Sequence, residues 1–344
     1  MSATGVAGLI GNTPMIRIDS LSAATGCEIL AKAEFLNPGG SVKDRVALQI
    51  LNDAMASGHL SRGGCVTEGT AGSTGVSLAL VAASLGCRCF VAMPDDAAIE
   101  KVHMLEALGA EVARLPPVSI TNPQHHVNVA RRTAAQQPDA FFADQFENLA
   151  NLRAHLGTGE EVWEQCSGRL DAFVCGSGTG GTIAGVSQVL KGHDSDVQIF
   201  LVDPNGSSLY NKVTRGVMFS PVEAEGKRLK NPKDTITEGV GLNRLTANFN
   251  EALIDGAFKA SDREAVEMSR YLLRNDGLFV GSSAAVNCVG AVKAARRLGP
   301  GSTIVTILCD GGQRHLSKFH NARFLAEHGL TPTSEGLDLS FVAS

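Results

Sequence analysis

The stretch Asn37-Pro38-Gly39-Gly40-Ser41-Val42-Lys43-Asp44-Arg45 decides how the rest of the chain is read. Upstream, Glu28-Ile29-Leu30-Ala31-Lys32-Ala33-Glu34-Phe35 alternates as a half-buried strand does. Downstream, Val46, Ala47, Ile50, Leu51, Ala54 and Met55 recur at helical spacing. Lys43 therefore stands where a glycine turn joins a strand to a helix. A helix N-terminus favours anions, so an ammonium there is an odd structural choice unless its charge is changed or used. Forming an imine removes that charge. A solvated surface lysine is the plain alternative.

Two further glycine-containing turns also lead into helices. Phe173-Val174-Cys175 runs as a strand into Gly176-Ser177-Gly178-Thr179-Gly180-Gly181-Thr182, and a helix with Ile183, Val186 and Leu190 follows. Glycines let backbone N–H groups wrap a phosphate, the helix dipole favours its charge, and the threonine hydroxyls add donors. Gly176, Gly178 and Gly181 also satisfy Gly-x-Gly-x-x-Gly, with Asp203 ending the next strand where a ribose-binding acid would sit. By itself the loop reads as a dinucleotide site, another phosphate site or a bare tight turn. The other turn, Glu68-Gly69-Thr70-Ala71-Gly72-Ser73-Thr74-Gly75, precedes an apolar helix from Val76 to Leu85 and suits a carboxylate; a helix cap by Ser73 or Thr70 is the alternative.

The nine residues around Lys43 resemble the Schiff-base lysine motif of fold-type II pyridoxal-phosphate enzymes, in the cysteine synthase and cystathionine β-synthase group. The resemblance runs from Leu9-Ile10-Gly11-Asn12-Thr13-Pro14 to about Leu325. It breaks the tie at the glycine loop, because imine chemistry needs both a lysine and a phosphate anchor. The cofactor it implies is pyridoxal 5′-phosphate, joined to Lys43, with Gly178, Thr179, Gly180, Gly181 and Thr182 around its phosphate. Ser283, in Gly281-Ser282-Ser283-Ala284-Ala285, matches the family serine that bonds the pyridine nitrogen; an N-cap is its plain alternative.

The family loop Thr-Ser-Gly-Asn-Thr-Gly, which holds the substrate α-carboxylate, reads Thr70-Ala71-Gly72-Ser73-Thr74-Gly75 here. Ala71 replaces the serine. Ser73 replaces the asparagine near the cofactor's ring oxygen, so a smaller hydroxyl must do the amide's work. Gln145 matches a glutamine that also holds the carboxylate, and Gly239, in Glu238-Gly239-Val240-Gly241, belongs to a loop that moves near the substrate amine. Ala98-Ile99-Glu100-Lys101 stands where the family has Ser-x-Glu-Arg, and Asp310 follows a strand end near the expected ring.

The activity so implied is β-replacement: Lys43 acts as base, acetate leaves O-acetylserine, and sulfide adds to give cysteine. A serine on the ring nitrogen makes a weaker electron sink, which suits β-elimination. Release of sulfide from cysteine and a cystathionine β-synthase core are the near alternatives. An NAD-dependent dehydrogenase and a non-catalytic cofactor-binding protein are the distant ones.

Alternating strands and helices imply an α/β chain with mostly parallel twisted sheets, and the resemblance implies the two αβα domains of a fold-type II enzyme. Residues 45–145 are expected to form a smaller, mobile substrate-binding domain, and 1–44 with 146–330 a larger cofactor domain. Residues 331–344 read as a loosely held tail. With 344 residues, 44% of them hydrophobic, the chain can bury a large core; its net charge of −5 gives no reason to expect nucleic acid. No membrane span, leader or metal site is expected, and Cys87-Arg88-Cys89 reads as strand alternation in a reduced, cytoplasmic protein. His125-His126 reads as helix surface. The resemblance implies a homodimer, with serine acetyltransferase as a further partner.

Overall fold

The computed structural model describes residues 5–219 and 235–343. Among the described residues ten strands form two sheets. They are β1 (Met15–Arg17), β2 (Glu28–Lys32), β3 (Cys65–Gly69), β4 (Arg88–Pro94), β5 (Glu111–Leu115), β6 (Ala140–Phe142), β7 (Ala172–Gly176), β8 (Gln198–Pro204), β9 (Gly256–Ala260) and β10 (Thr303–Ile307). The larger sheet has the order β1-β2-β10-β7-β8-β9, parallel throughout except for β1 against β2. The smaller, β5-β4-β3-β6, is wholly parallel. This is the expected α/β fold with mostly parallel sheets.

Period-two alternation explains how helices cover both faces of each sheet. In β7, Ala172 and Val174 join the apolar cluster beneath the helices Asp262–Asp276 and Ser282–Leu298. Phe173 and Cys175 point the other way, against Ile183, Val186 and Leu190 of the helix Gly181–His193. In the smaller sheet, Val66, Val91 and Met93 pack with the helices Lys43–Ala56 and Ser73–Leu85, while Phe90 and Ala92 face Ala130 on the opposite side. Cys87 and Cys89 lie together in the first of these clusters, as their spacing requires.

Several local readings need correction. Leu278-Phe279-Val280 forms no strand; after the left-handed Gly277 only a single bridge, Val280 to Gly311, is made. The run beginning at Glu28 is a strand only to Lys32, beyond which a 3₁₀ turn takes Glu34–Leu36. His125 is not within a helix but caps one, accepting from the Val127 N–H, and its ring lies 4.0 Å from that of His126. Of the excursion from Asn205 to Asn250, residues 220–234 lie outside the described residues. Among the described residues no helix is long and apolar enough to cross a membrane.

The C-terminal segment is docked, not loose. Leu339 and Val342 are buried in the larger sheet's core cluster. Glu267 accepts from the N–H groups of Thr333 and Ser334 at 2.9–3.0 Å, and Arg296 donates to the Leu339 carbonyl at 2.9 Å. Burying one aliphatic side chain contributes about 1.5–3 kcal/mol. Deletion of residues 332–344 should therefore lower unfolding stability by roughly 2–5 kcal/mol in a denaturant titration, whereas a loose tail would leave the midpoint unchanged.

Candidate active site

The lysine turn is knit to itself and to the larger sheet. Asp44 accepts from the Gly39 N–H and from Ser77 Oγ, both at 2.5 Å. A side chain at Gly39 would occupy the space of that carboxylate, and Gly40 has φ +80°, so both glycines are needed for the turn. The Val42 N–H donates to the Cys309 carbonyl at 2.8 Å, and Ser41 bridges Asp310 just past the end of β10. Lys43 is thus the first residue of a helix packed in the smaller core while its turn is fastened to the larger sheet. Its ammonium acts electrostatically on His155, Cys175 and Cys309, around the ends of β7 and β10.

The glycine loop after β7 is closed in by neighbours that leave no room for side chains. A Cβ on Gly178 would overlap the Gly239 carbonyl oxygen, one on Gly180 the Phe249 backbone, and one on Gly181 the Asn151 amide. Gly180 also has φ +92°. The Gly181–His193 helix begins without a side-chain cap, which leaves its first N–H groups for a ligand. Thr182 Oγ1 lies 3.2 Å from His155 Nε2, a ring that burial and the Lys43 charge keep neutral. Ser177 Oγ is buried without a hydrogen-bond partner. A cradle of amides and hydroxyls, with one hydroxyl unpaired, fits the phosphate of pyridoxal phosphate.

Asn151 joins this cradle to Gln145, which in turn meets the start of the Ser73–Leu85 helix. Its Nδ2 donates to Thr179 Oγ1 at 2.7 Å and to the Gln145 carbonyl at 2.8 Å. Gln145 Oε1 accepts from Thr74 Oγ1 at 2.5 Å, and its N–H donates to Glu68, whose buried carboxyl is pushed up to about 8. Thr70 is buried and Ala71 exposed, and neither Thr70 nor Ser73 caps the Ser73–Leu85 helix, which starts at Gly72 uncapped. The Ser283 helix is likewise uncapped by a side chain, and Ser283 is buried. The plain capping alternatives therefore do not describe these serines.

The sequence motifs did not single out Asn151, His155, Arg314 or a buried chain of charges running through His315. The Lys101 ammonium, against Gly72, pairs with Glu238; His315 Nδ1 lies 3.5 Å from Glu238, and its Nε2 lies 2.9 Å from Asp310. The two carboxylates hold His315 up at about 9 despite burial, and Asp310 and Glu238 are held below the usual carboxylate range. Gly239, next to Glu238, touches the glycine loop at Gly178 through its carbonyl, and the Gly241 N–H donates to the Ser177 carbonyl at 2.8 Å. Asp203, the candidate ribose acid, is fully buried and accepts from the Tyr210 N–H at 2.8 Å and from Lys259 at 3.1 Å. Its Oδ1 has no hydrogen-bond partner among the described residues, but the carboxylate is closed to a nucleotide by its burial.

Two outcomes follow from this geometry. Gly178→Ala must displace backbone, so it should weaken pyridoxal phosphate binding by about tenfold or more, read by titrating the cofactor into protein whose circular dichroism is unchanged. His315 titrates near 9 when folded, above its ordinary value of 6.5. Its contribution is therefore complete below pH 6.5 and is lost as pH rises through about 9. His315→Gln should be less stable at pH 6 by on the order of 2–3 kcal/mol, with the difference shrinking by pH 10, in denaturant titrations across pH.

The family profile described as pyridoxal-phosphate dependent enzyme matches residues 6–310. The chain is 56% identical over 340 residues to cysteine synthase 2 of Schizosaccharomyces pombe, covering 95% of this chain and 86% of that one. It is 48% identical over 341 residues to cysteine synthase of Dictyostelium discoideum, covering 99% and 90%. Among solved structures, the O-acetylserine dependent cystathionine β-synthase from Helicobacter pylori superposes with a TM-score of 0.81 at 32% identity, covering 92% of this chain and 98% of that one. With this likeness along nearly its whole length, and with the lysine turn and the glycine loop both at strand ends of the larger sheet, the chain belongs to the pyridoxal-phosphate dependent enzyme family.

Proposed function

We propose that this chain is a cysteine synthase, which replaces the β-acetoxy group of O-acetylserine with sulfide. The observation that carries the reading is the Asn151 amide, which ties the phosphate cradle at Thr179 to the carboxylate turn at Gln145. One ligand with a phosphate at one end and an amino acid's carboxylate at the other is what such a linkage serves. The names of the relatives, at 56% and 48% identity over almost the full chain, support cysteine as the product. The H. pylori enzyme's use of O-acetylserine supports that leaving group.

Pyridoxal phosphate, when bound, supplies the electron sink that lets an amino acid lose its α-proton and then its β-substituent. Lys43 would hold the cofactor, and its Nζ, once released, would take that proton. Gly178, Thr179, Gly180, Gly181 and Thr182 would hold the phosphate, Ser283 the ring nitrogen and Ser73 the ring oxygen. The backbone from Thr70 through Ala71 and Gly72, together with Gln145, orients the α-carboxylate, with Gly239 closing over the amine. A hydroxyl at Ser283 leaves the ring nitrogen largely without a proton, which favours quick expulsion of a β-group.

The substrate-binding unit is residues 45–145, moving against a cofactor domain of 1–44 and 146–330. The protein works as a cytoplasmic homodimer to which serine acetyltransferase docks; composition and the family resemblance are the support for this.

The test is cysteine formation from O-acetylserine and sulfide by wild type and Lys43→Ala. Wild type should be yellow and active, and Lys43→Ala should lose the visible band and at least about 10³-fold in kcat. Sulfide release from cysteine, without synthesis from O-acetylserine, would overturn the assignment of direction. Activity and visible band retained in Lys43→Ala would overturn the role of the lysine.

A further inference from the structure

Arg314 is among the largest side chains wholly withdrawn from solvent, at 1% exposure. No carboxylate of the described residues lies within ion-pairing distance of it; Asp44 and Asp310 act on it only through space. Asp44 already accepts from Gly39 and Ser77, and Asp310 Oδ2 meets His315; Asp310 Oδ1 is buried without a hydrogen-bond partner among the described residues, but it does not touch Arg314 either. A buried guanidinium without a contacting counter-ion is costly, so its position asks for an anion.

The guanidinium occupies the gap between the two turns that flank the site. Nη1 donates to Ser73 Oγ at 2.9 Å, and Nη2 donates to the Gly39 carbonyl four residues before Lys43. A Cβ on Gly40 would sit 3.5 Å from Nε, so the lysine turn is wrapped closely around it. Two of its five N–H donors are thus engaged. Because Ser73 Oγ accepts from Arg314, its own hydrogen is free to be donated onward, strengthened by the charge behind it.

The chemistry of the cofactor says which anion stands there. Its phosphate belongs at the glycine cradle after β7. The ring oxygen sits on the ring carbon next to the one that carries the aldehyde carbon, to which the lysine bonds, so the anionic atom nearest the lysine turn is that oxygen. We propose that Arg314 is a positioning residue which, through the Ser73 hydroxyl, holds the ring oxygen of pyridoxal phosphate in its ionised form. The pair replaces one neutral amide with a hydroxyl and a cation. This rests on the reading of Lys43 as the cofactor's lysine.

The experiment uses full-length wild type, Arg314→Gln, Arg314→Lys, Ser73→Ala and the Arg314→Gln/Ser73→Ala double variant, each titrated with pyridoxal phosphate without substrate. Two readouts are taken: cofactor affinity, and the ratio of the longer-wavelength band, in which the ring oxygen is ionised, to the shorter-wavelength band, in which it is protonated. Arg314→Gln and Ser73→Ala should each shift intensity to the shorter wavelength and weaken binding by about tenfold. Arg314→Lys should retain more of the longer-wavelength band, and the double variant should be no worse than the worse single. An unchanged band ratio in Arg314→Gln, or effects that simply multiply in the double variant, would overturn the proposal. Should Arg314→Gln fail to fold, an unchanged band ratio in Ser73→Ala would overturn it equally. Wild type that shows no visible band would instead overturn the Lys43 reading beneath it.

Discussion

The lysine turn depends on a buried exchange of charge two residues further along. Arg45 reaches Glu34 through Nε and Nη2, both at 2.8 Å, and Glu161 through Nη1 at 2.6 Å and Nη2 at 2.7 Å. Lys32 pairs with the same Glu161 at 2.5 Å, and Thr13 and Asn37 donate to Glu34. Two cations and two carboxylates satisfy one another, three of them buried and Glu161 half-buried, and they draw together the end of β2, the lysine helix and the helix Leu156–Gln165. The neighbouring guanidinium holds Glu161 down at about 2. Removing one member would strand its partner's charge in a dry interior, at a cost of roughly 3–5 kcal/mol. Such a clamp suits a residue whose position must not drift.

That clamp also explains why the candidate site lies where it does. The lysine helix contributes Val46, Ile50 and Leu51 to the smaller sheet's core, yet its leading turn is bonded to Cys309 and Asp310 beyond β10 of the larger sheet. The Ser73 helix starts from the smaller sheet and the Gly181 helix from the larger. Parallel strands deliver all of these helix N-termini to the same end of their sheets, where partial positive charge gathers and anions are welcome. Asn151 and Arg314 then hold the turns at their mutual spacing from behind.

Where local pattern and neighbours disagreed, the neighbours decided. Leu278-Phe279-Val280 has the composition of a strand, but Gly277 turns the chain left-handed just before it and only one bridge can form. The last residues look polar and loose in sequence; docking needs Glu267, Arg296 and the apolar cluster of the larger sheet, all far away along the chain. Strands β1, β3, β6 and β9 do not stand out in the sequence, β1 being only three residues long. β3 is buried on both faces and so lacks alternation, β6 is three residues long, and β9 is a half-buried edge strand.

What the sequence by itself determined is whatever depends on short-range chemistry: the glycine turns at 39–40 and 178–181, the helix starts behind them, Lys43 between strand and helix, and through these the family and its cofactor. Glycine at a close approach and a helix N-terminus facing an anion are set within a few residues, so they can be read along the chain. What only the tertiary structure decided is which side chains meet across long separations. Arg314 and Ser73 are 241 residues apart, Asn151 and Thr179 28 apart, and Lys101 and Glu238 137 apart. Such contacts follow from how two sheets and their helices stack, and no local spacing encodes that stacking.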